Sequence, residues 1–97
     1  MNVLSMTEIE DALRTLLTRY NAEYAIVFGS YARGDATPDS NLDVVIVGGN
    51  NFIPRSIFAL AEDLRELIGR NADVLRCERL IPAPLYESIM HGGVLIS

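Results

Sequence analysis

Apolar residues recur at Ile9, Leu13, Leu16, Leu17 and Tyr20, the three-to-four-residue spacing of a helix with one buried stripe. Ser5-Met6-Thr7-Glu8, just ahead of that stripe, has the spacing of a capping box, with Ser5 as N-cap. The pattern predicts a helix over Met6–Tyr20, stopped at Asn21. Glu23 to Phe28 is then a short apolar run closed by Gly29, which predicts a buried strand. A turn-rich stretch follows from Gly29 to Ser40, and its first part, Ser30–Arg33, suits a single helical turn. Leu42–Val47 predicts a second strand, broken by Gly48-Gly49-Asn50-Asn51. Pro54 suits the first turn of a helix. Ile57, Leu60, Ala61, Leu64, Leu67 and Ile68 supply its apolar stripe, with Gly69 near its end. Asp73–Cys77 reads as a third strand. Pro82 and Pro84 open a last short helix, Leu85–His91, ended by Gly92-Gly93, and Val94–Ile96 fits a final short strand. The order is α, β, turn, β, α, β, α: one α/β-type domain over residues 1–97 with a small sheet.

Composition narrows the chemistry. The chain has 97 residues, 49% of them apolar, which excludes a disordered class. Eight basic residues stand against thirteen acidic ones, for a net charge of −5. Every basic residue is arginine. The absence of lysine excludes Schiff-base chemistry and a lysine-based P-loop. A single cysteine (Cys77) and a single histidine (His91) exclude a disulfide scaffold and a structural zinc site. Carboxylates, hydroxyls, arginines, backbone amides and a bound metal are what remain. The acidic balance disfavours direct binding to a nucleic-acid backbone, yet suits a nucleotide whose charge is met by a divalent ion. No signal peptide is visible at the start, and no apolar run could span a membrane. A cytoplasmic protein is expected.

Three features carry candidate chemistry. Gly29-Ser30 ends the first strand, where a glycine allows close backbone approach and the amides of a following helical turn suit phosphate oxygens. Alone, such a pair is more often just a turn. Asn41-Leu42-Asp43 opens the second strand. Alternation puts positions 41 and 43 on one face, about 7 Å apart, where two oxygen ligands can share or bracket metal ions. Asp73 starts the third strand and would complete the cluster if that strand lies beside the second. Taken alone, Asn41-x-Asp43 is more simply a polar strand entrance, and Asp73 a helix-to-strand loop aspartate.

Together they form a longer signature. Gly29-Ser30-Tyr31-Ala32-Arg33-Gly34 and, ten residues after Ser30, Ser40-Asn41-Leu42-Asp43 resemble the motif of the DNA polymerase β nucleotidyltransferase superfamily. More narrowly, they resemble its minimal nucleotidyltransferase group, which often supplies the antitoxin, as in the MntA-like proteins, to toxin–antitoxin pairs with HEPN-domain toxins. The resemblance implies a palm fold, an α+β arrangement with a small mixed sheet and helices packed on one face. It also implies a site in which two magnesium ions, held by carboxylates, bridge ATP as substrate. By residue match, Asp43 and Asp73 would be metal ligands, and Asp73 the base near the nucleophile. Gly29 and Ser30 would cradle the triphosphate. Arg33 and Ser40 match as nucleotide-binding positions. Arg33 could neutralise phosphate charge or pair with Asp35 or Asp39 to stiffen the loop.

One position departs from the family, which has aspartate at both ends of the second motif. Asn41 offers one neutral carbonyl oxygen to a metal and removes a full negative charge. It is consistent with an isosteric knock-out made to trap a complex, with a natural pseudoenzyme, or with weakened metal binding at Asp43 and Asp73. The implied activity is transfer of AMP from ATP to a hydroxyl, a tyrosine of a cognate HEPN toxin. The rivals are an antitoxin that acts by binding alone and a nucleotidyltransferase for a small molecule.

The remaining residues take simpler readings. His91 would lie near a helix C-terminus, Cys77 would be a small apolar strand residue, and Glu62, Asp63 and Glu66 a solvated helix face. Val45 and Val47 share the Asp43 face of the second strand, and few elements are available to cover it. A partner chain or a second copy, giving a hetero-oligomer or homodimer, is expected to do so.

Overall fold

Ser5 accepts a hydrogen bond from the Glu8 amide at 3.1 Å, and its hydroxyl donates to the Glu8 carboxylate at 3.2 Å, so the reciprocal bond of a full capping box is redirected between the side chains. The helix so begun, α1 (Met6–Tyr20), ends where Asn21 takes the left-handed conformation, at φ 58°. In the computed structural model residues 3–77, 87 and 92–97 are described. The elements after α1 are β1 (Tyr24–Phe28), α2 (Ser30–Arg33), β2 (Leu42–Val47), α3 (Ser56–Ile68), β3 (Ala72–Cys77) and β4 (Val94–Ile96). Pro54 lies in a turn just ahead of α3 rather than inside it, and the Ile57 amide bonds back to its carbonyl at 3.2 Å. The predicted helix over Leu85–His91, and with it His91, lies outside the described residues apart from Glu87.

The four strands form one mixed sheet in the order β3-β2-β1-β4. β1 pairs antiparallel with β2 and with β4, whereas β2 and β3 run parallel, joined by the α3 crossover. One sheet face, carrying Ala25, Val27, Leu42, Val44, Ile46, Ala72 and Ile96, packs under α1 and α3 to form the main core. The helices thus lie on one face, as the family resemblance implied. Leu67 departs from its predicted stripe. It is 52% exposed, because the α3 arc facing the sheet is filled by Leu60, Ala61, Leu64 and Ile68.

The opposite face carries Asp43, Val45 and Val47 together with Tyr24, Ile26 and Phe28. Its centre is closed within the chain, while its flanks stay open. Ile26, Val45 and Val47 are 6%, 0% and 1% exposed within the chain itself, with Tyr24 and Phe28 packed against them. Leu75 and Leu95, the register partners of Val45 and Ile26 on the flanking strands, remain 44% and 61% exposed on the same face, where a partner chain could still cover them.

α1 and α3 are locked to each other at one point. The Tyr20 hydroxyl donates to Asp63 at 2.5 Å, and Arg19 donates to the same oxygen at 3.0 Å. These two bonds, Tyr20 first, hold the Asp63 carboxyl below its ordinary value, while the bond to Asp63 raises the Tyr20 phenol. The lowered group contributes stability that is lost as pH falls through its folded value. The raised group contributes stability that is lost as pH rises from the ordinary phenol range towards its raised value. Tyr20→Phe is therefore expected to lower the melting temperature by a few degrees at neutral pH. Thermal melts should show the difference shrinking once acid protonates Asp63.

Candidate active site

β1 ends at Phe28, and Gly29 then adopts φ 75° and ψ −151°, a conformation open essentially to glycine alone. The turn drops directly onto β2: a Cβ at Gly29 would lie 2.3 Å from the Asp43 Oδ2 atom. The glycine is required both by its backbone and by the carboxylate beside it. α2 starts at Ser30, and Gly34 closes it in the left-handed conformation.

Asp43 and Asp73 are register partners across the parallel β2–β3 ladder, on the sheet face away from α1 and α3. Their strands lie about 4.8 Å apart. Asp43 is half-buried and Asp73 exposed. Burial first, then the Asp73 charge and a hydrogen bond shared with Asp73, push the Asp43 carboxyl above the usual carboxylate range, while the Arg33 charge pulls it down. Asn41 is exposed, one residue ahead of β2, and alternation continued back from Asp43 puts it on the same side.

Arg33 pairs with Asp35 at 3.3 Å, both side chains more than half exposed, so the loop pairing weighed in the sequence is present. Its charge also reaches Asp43. The Ser40 hydroxyl accepts from the Thr37 amide at 2.9 Å, and the Ser40 amide donates to the Thr37 carbonyl at 3.0 Å. Ser40 thereby closes the turn that delivers the chain to Asn41. The Asn71 carbonyl, which accepts from the Leu42 amide at 3.2 Å, and the Arg70 side chain, which donates to the Tyr31 hydroxyl at 2.6 Å, were not singled out from the sequence. Their only local signal was a place between the helix stop at Gly69 and Asp73.

The donors fit a divalent ion. Two crowded carboxylates, one of them disfavoured as an anion, are relieved by a hard cation, and Asn41 can add an amide oxygen. Among the described residues no group of three or more acidic, histidine or cysteine side chains gathers, so the set holds two formal charges.

Residues 10–97 match the domain family described as polymerase beta, nucleotidyltransferase. The chain belongs to the polymerase beta nucleotidyltransferase family. A Methanocaldococcus jannaschii relative with the provisional name protein adenylyltransferase MJ0435 is 27% identical over 91 residues, spanning 94% of this chain and 97% of the relative. A second from the same organism, provisionally named protein adenylyltransferase MJ1379, is 30% identical over 77 residues, 73% of this chain and 77% of its own. A solved structure described as a minimal nucleotidyltransferase superposes with a TM-score of 0.74 at 28% identity, over 92% of this chain and 90% of that one. The fold is also shared with a crystallised toxin–antitoxin holding AMP-PNP, at a TM-score of 0.73 and 19% identity, over 89% of this chain and 70% of that one. It is shared too with an MNT antitoxin in complex with a tri-AMPylated Shewanella oneidensis HEPN toxin, at 0.68 and 16%, over 94% and 71%.

For this member of the polymerase beta nucleotidyltransferase family the raised Asp43 carboxyl has a consequence for stability. Folding favours the protonated carboxyl. That contribution is full at acid pH and lost as pH rises through the raised value. Asp43→Asn is expected to melt higher than the parent at neutral pH, with the gap closing on acidification. Its affinity for manganese should fall by at least about tenfold. Melts across pH and metal titrations check the two halves.

Proposed function

We propose that this chain is a minimal nucleotidyltransferase that transfers AMP from ATP to a tyrosine hydroxyl of a HEPN-domain partner and serves as the antitoxin of that pair. The observation that carries the reading is the Asp43–Asp73 register pair with the Gly29 turn set against it. It puts a phosphate-compatible backbone beside two metal-compatible carboxylates. The named activity of the M. jannaschii relatives and the assemblies of the structural neighbours support the choice of nucleotide and partner.

In this reading Gly29 and Ser30 hold the triphosphate, and Arg33 offsets its charge. Asn41, Asp43 and Asp73 would hold magnesium, which when bound supplies Lewis-acid polarisation of the phosphate and charge neutralisation of the leaving pyrophosphate. Asp73, the more exposed carboxylate, accepts the proton of the attacking hydroxyl. The hydroxyl oxygen bonds to the α-phosphorus as the bond to the pyrophosphate oxygen breaks. The exposed side of the pair leaves the acceptor to come from another molecule.

Asn41 favours a second reading, in which the same fold neutralises its partner by binding alone. Incubation with labelled ATP, magnesium and a candidate HEPN-domain partner separates the two. Label on a partner tyrosine is the expected result. No label, even from Asn41→Asp, defeats the transfer reading. Neutralisation in cells that survives Asp43→Ala favours binding alone.

A further inference from the structure

The chain leading from α3 into β3 is tied down at three consecutive residues, Arg70, Asn71 and Ala72. Arg70 Nη1 donates to the Tyr31 hydroxyl at 2.6 Å. The Asn71 carbonyl accepts from the Leu42 amide at 3.2 Å. The Ala72 carbonyl accepts from Arg65 at 3.0 Å. Asp73 comes next. Tyr31 follows Ser30 in the phosphate-side turn, and Leu42 stands between Asn41 and Asp43. One short segment therefore bonds to the immediate neighbours of Ser30, Asn41 and Asp43.

The Tyr31 contact is the long-range member, closing 39 residues of sequence. Tyr31 is 6% exposed, with its ring in the main core. Packing alone would be served by phenylalanine. A buried phenol hydroxyl needs a partner, and a guanidinium supplies a strong, charge-assisted donor. The bond joins the α2 turn to the strand entrance that carries Asp73.

We infer that Tyr31 and Arg70 are a positioning pair, whose hydrogen bond sets the separation between the Gly29-Ser30 turn and the Asp43–Asp73 carboxylates so that one nucleoside triphosphate meets both. The inference rests on the nucleotide-transfer reading above. Neither side chain touches the reacting atoms. The pair acts on a ligand that bridges turn and carboxylates, and leaves a ligand that touches the carboxylates alone unaffected.

That difference makes the test. Full-length parent, Tyr31→Phe, Arg70→Met, Arg70→Lys and the Tyr31→Phe/Arg70→Met double variant are titrated calorimetrically with manganese alone. They are then titrated with AMP-PNP at saturating manganese, all in both the native and the Asn41→Asp backgrounds. Manganese alone is expected to bind every variant within about twofold of the parent. AMP-PNP should bind Tyr31→Phe and Arg70→Met about tenfold more weakly, with the double variant no weaker than either and Arg70→Lys partly restored. Equal loss with both probes, following a fall in melting temperature, would show a purely structural bond and overturn the inference. So would unchanged AMP-PNP binding in the single variants when the parent binds. A parent that binds no AMP-PNP in either background instead removes the nucleotide reading, and the positioning role with it.

Discussion

Gly29→Ala is expected to abolish nucleotide binding and to destabilise the fold more than any other single methyl addition in the site. Two independent penalties fall on that methyl group. The backbone sits at φ 75° and ψ −151°, and holding a non-glycine residue there costs about 1–3 kcal/mol. The new Cβ would also approach Asp43 Oδ2 to 2.3 Å, so the carboxylate or the turn must move. The first penalty alone corresponds to a fall in melting temperature of about 4–8 °C per kcal/mol for a domain of this size. The second displaces the side chain proposed to hold the metal. Gly34→Ala is the internal control. Gly34 also has a positive φ, of 82°, but nothing lies within 4 Å of its Cβ position. It should lose stability while keeping most of its metal affinity. Calorimetric melts and manganese titrations of the two variants measure the difference.

Asn41→Asp is expected to produce the largest gain. The site as it stands gathers two carboxylates, and the substitution adds a third anionic oxygen donor of nearly the same shape on the same side. Divalent-ion affinity depends strongly on ligand charge count, and an increase of about tenfold or more is expected. Nucleotide transfer to a HEPN partner should rise with it if the chain is a weakened enzyme. The gain has an electrostatic cost. A third carboxylate beside a pair in which Asp43 already resists ionisation raises the repulsion of the metal-free fold. The variant should melt lower than the parent without metal at neutral pH and recover on adding manganese. Melts with and without manganese, together with labelled-ATP transfer, test both halves. A rise in metal affinity with no transfer would leave binding as the mode of action.

Much of this was legible from local signals. The Ser5–Glu8 spacing, the stripe of α1 and the Leu42–Val47 run depend on near neighbours in sequence, and the structure follows them. The Gly29-Ser30 and Asn41-x-Asp43 signature pointed to the candidate site because each piece constrains its own backbone. The meeting of Asp43 with Asp73 was conditional in the sequence, since it required β3 to lie beside β2 in a particular register, and pairing over thirty residues leaves no local mark. Arg70 was invisible for the same reason: its partner, Tyr31, is distant in sequence and reads as an ordinary core aromatic. Leu67 misled because the helical period was continued past the arc that the sheet covers. Val45 and Val47 are buried while Leu75 and Leu95 on the same face are exposed, a strand-by-strand difference that alternation along one strand does not reveal.

The strand order divides the site between unequal supports. Asp43 belongs to β2, which is paired on both sides, whereas Asp73 belongs to β3, at the edge of the sheet among the described residues. Edge strands open at lower free energy than central ones. The proposed base can therefore detach from the rest of the site by a fluctuation that leaves the core folded. Catalytic competence and folding are then separable quantities. A population can be almost wholly native by its α1 and β2 amides while a measurable fraction has its carboxylates parted.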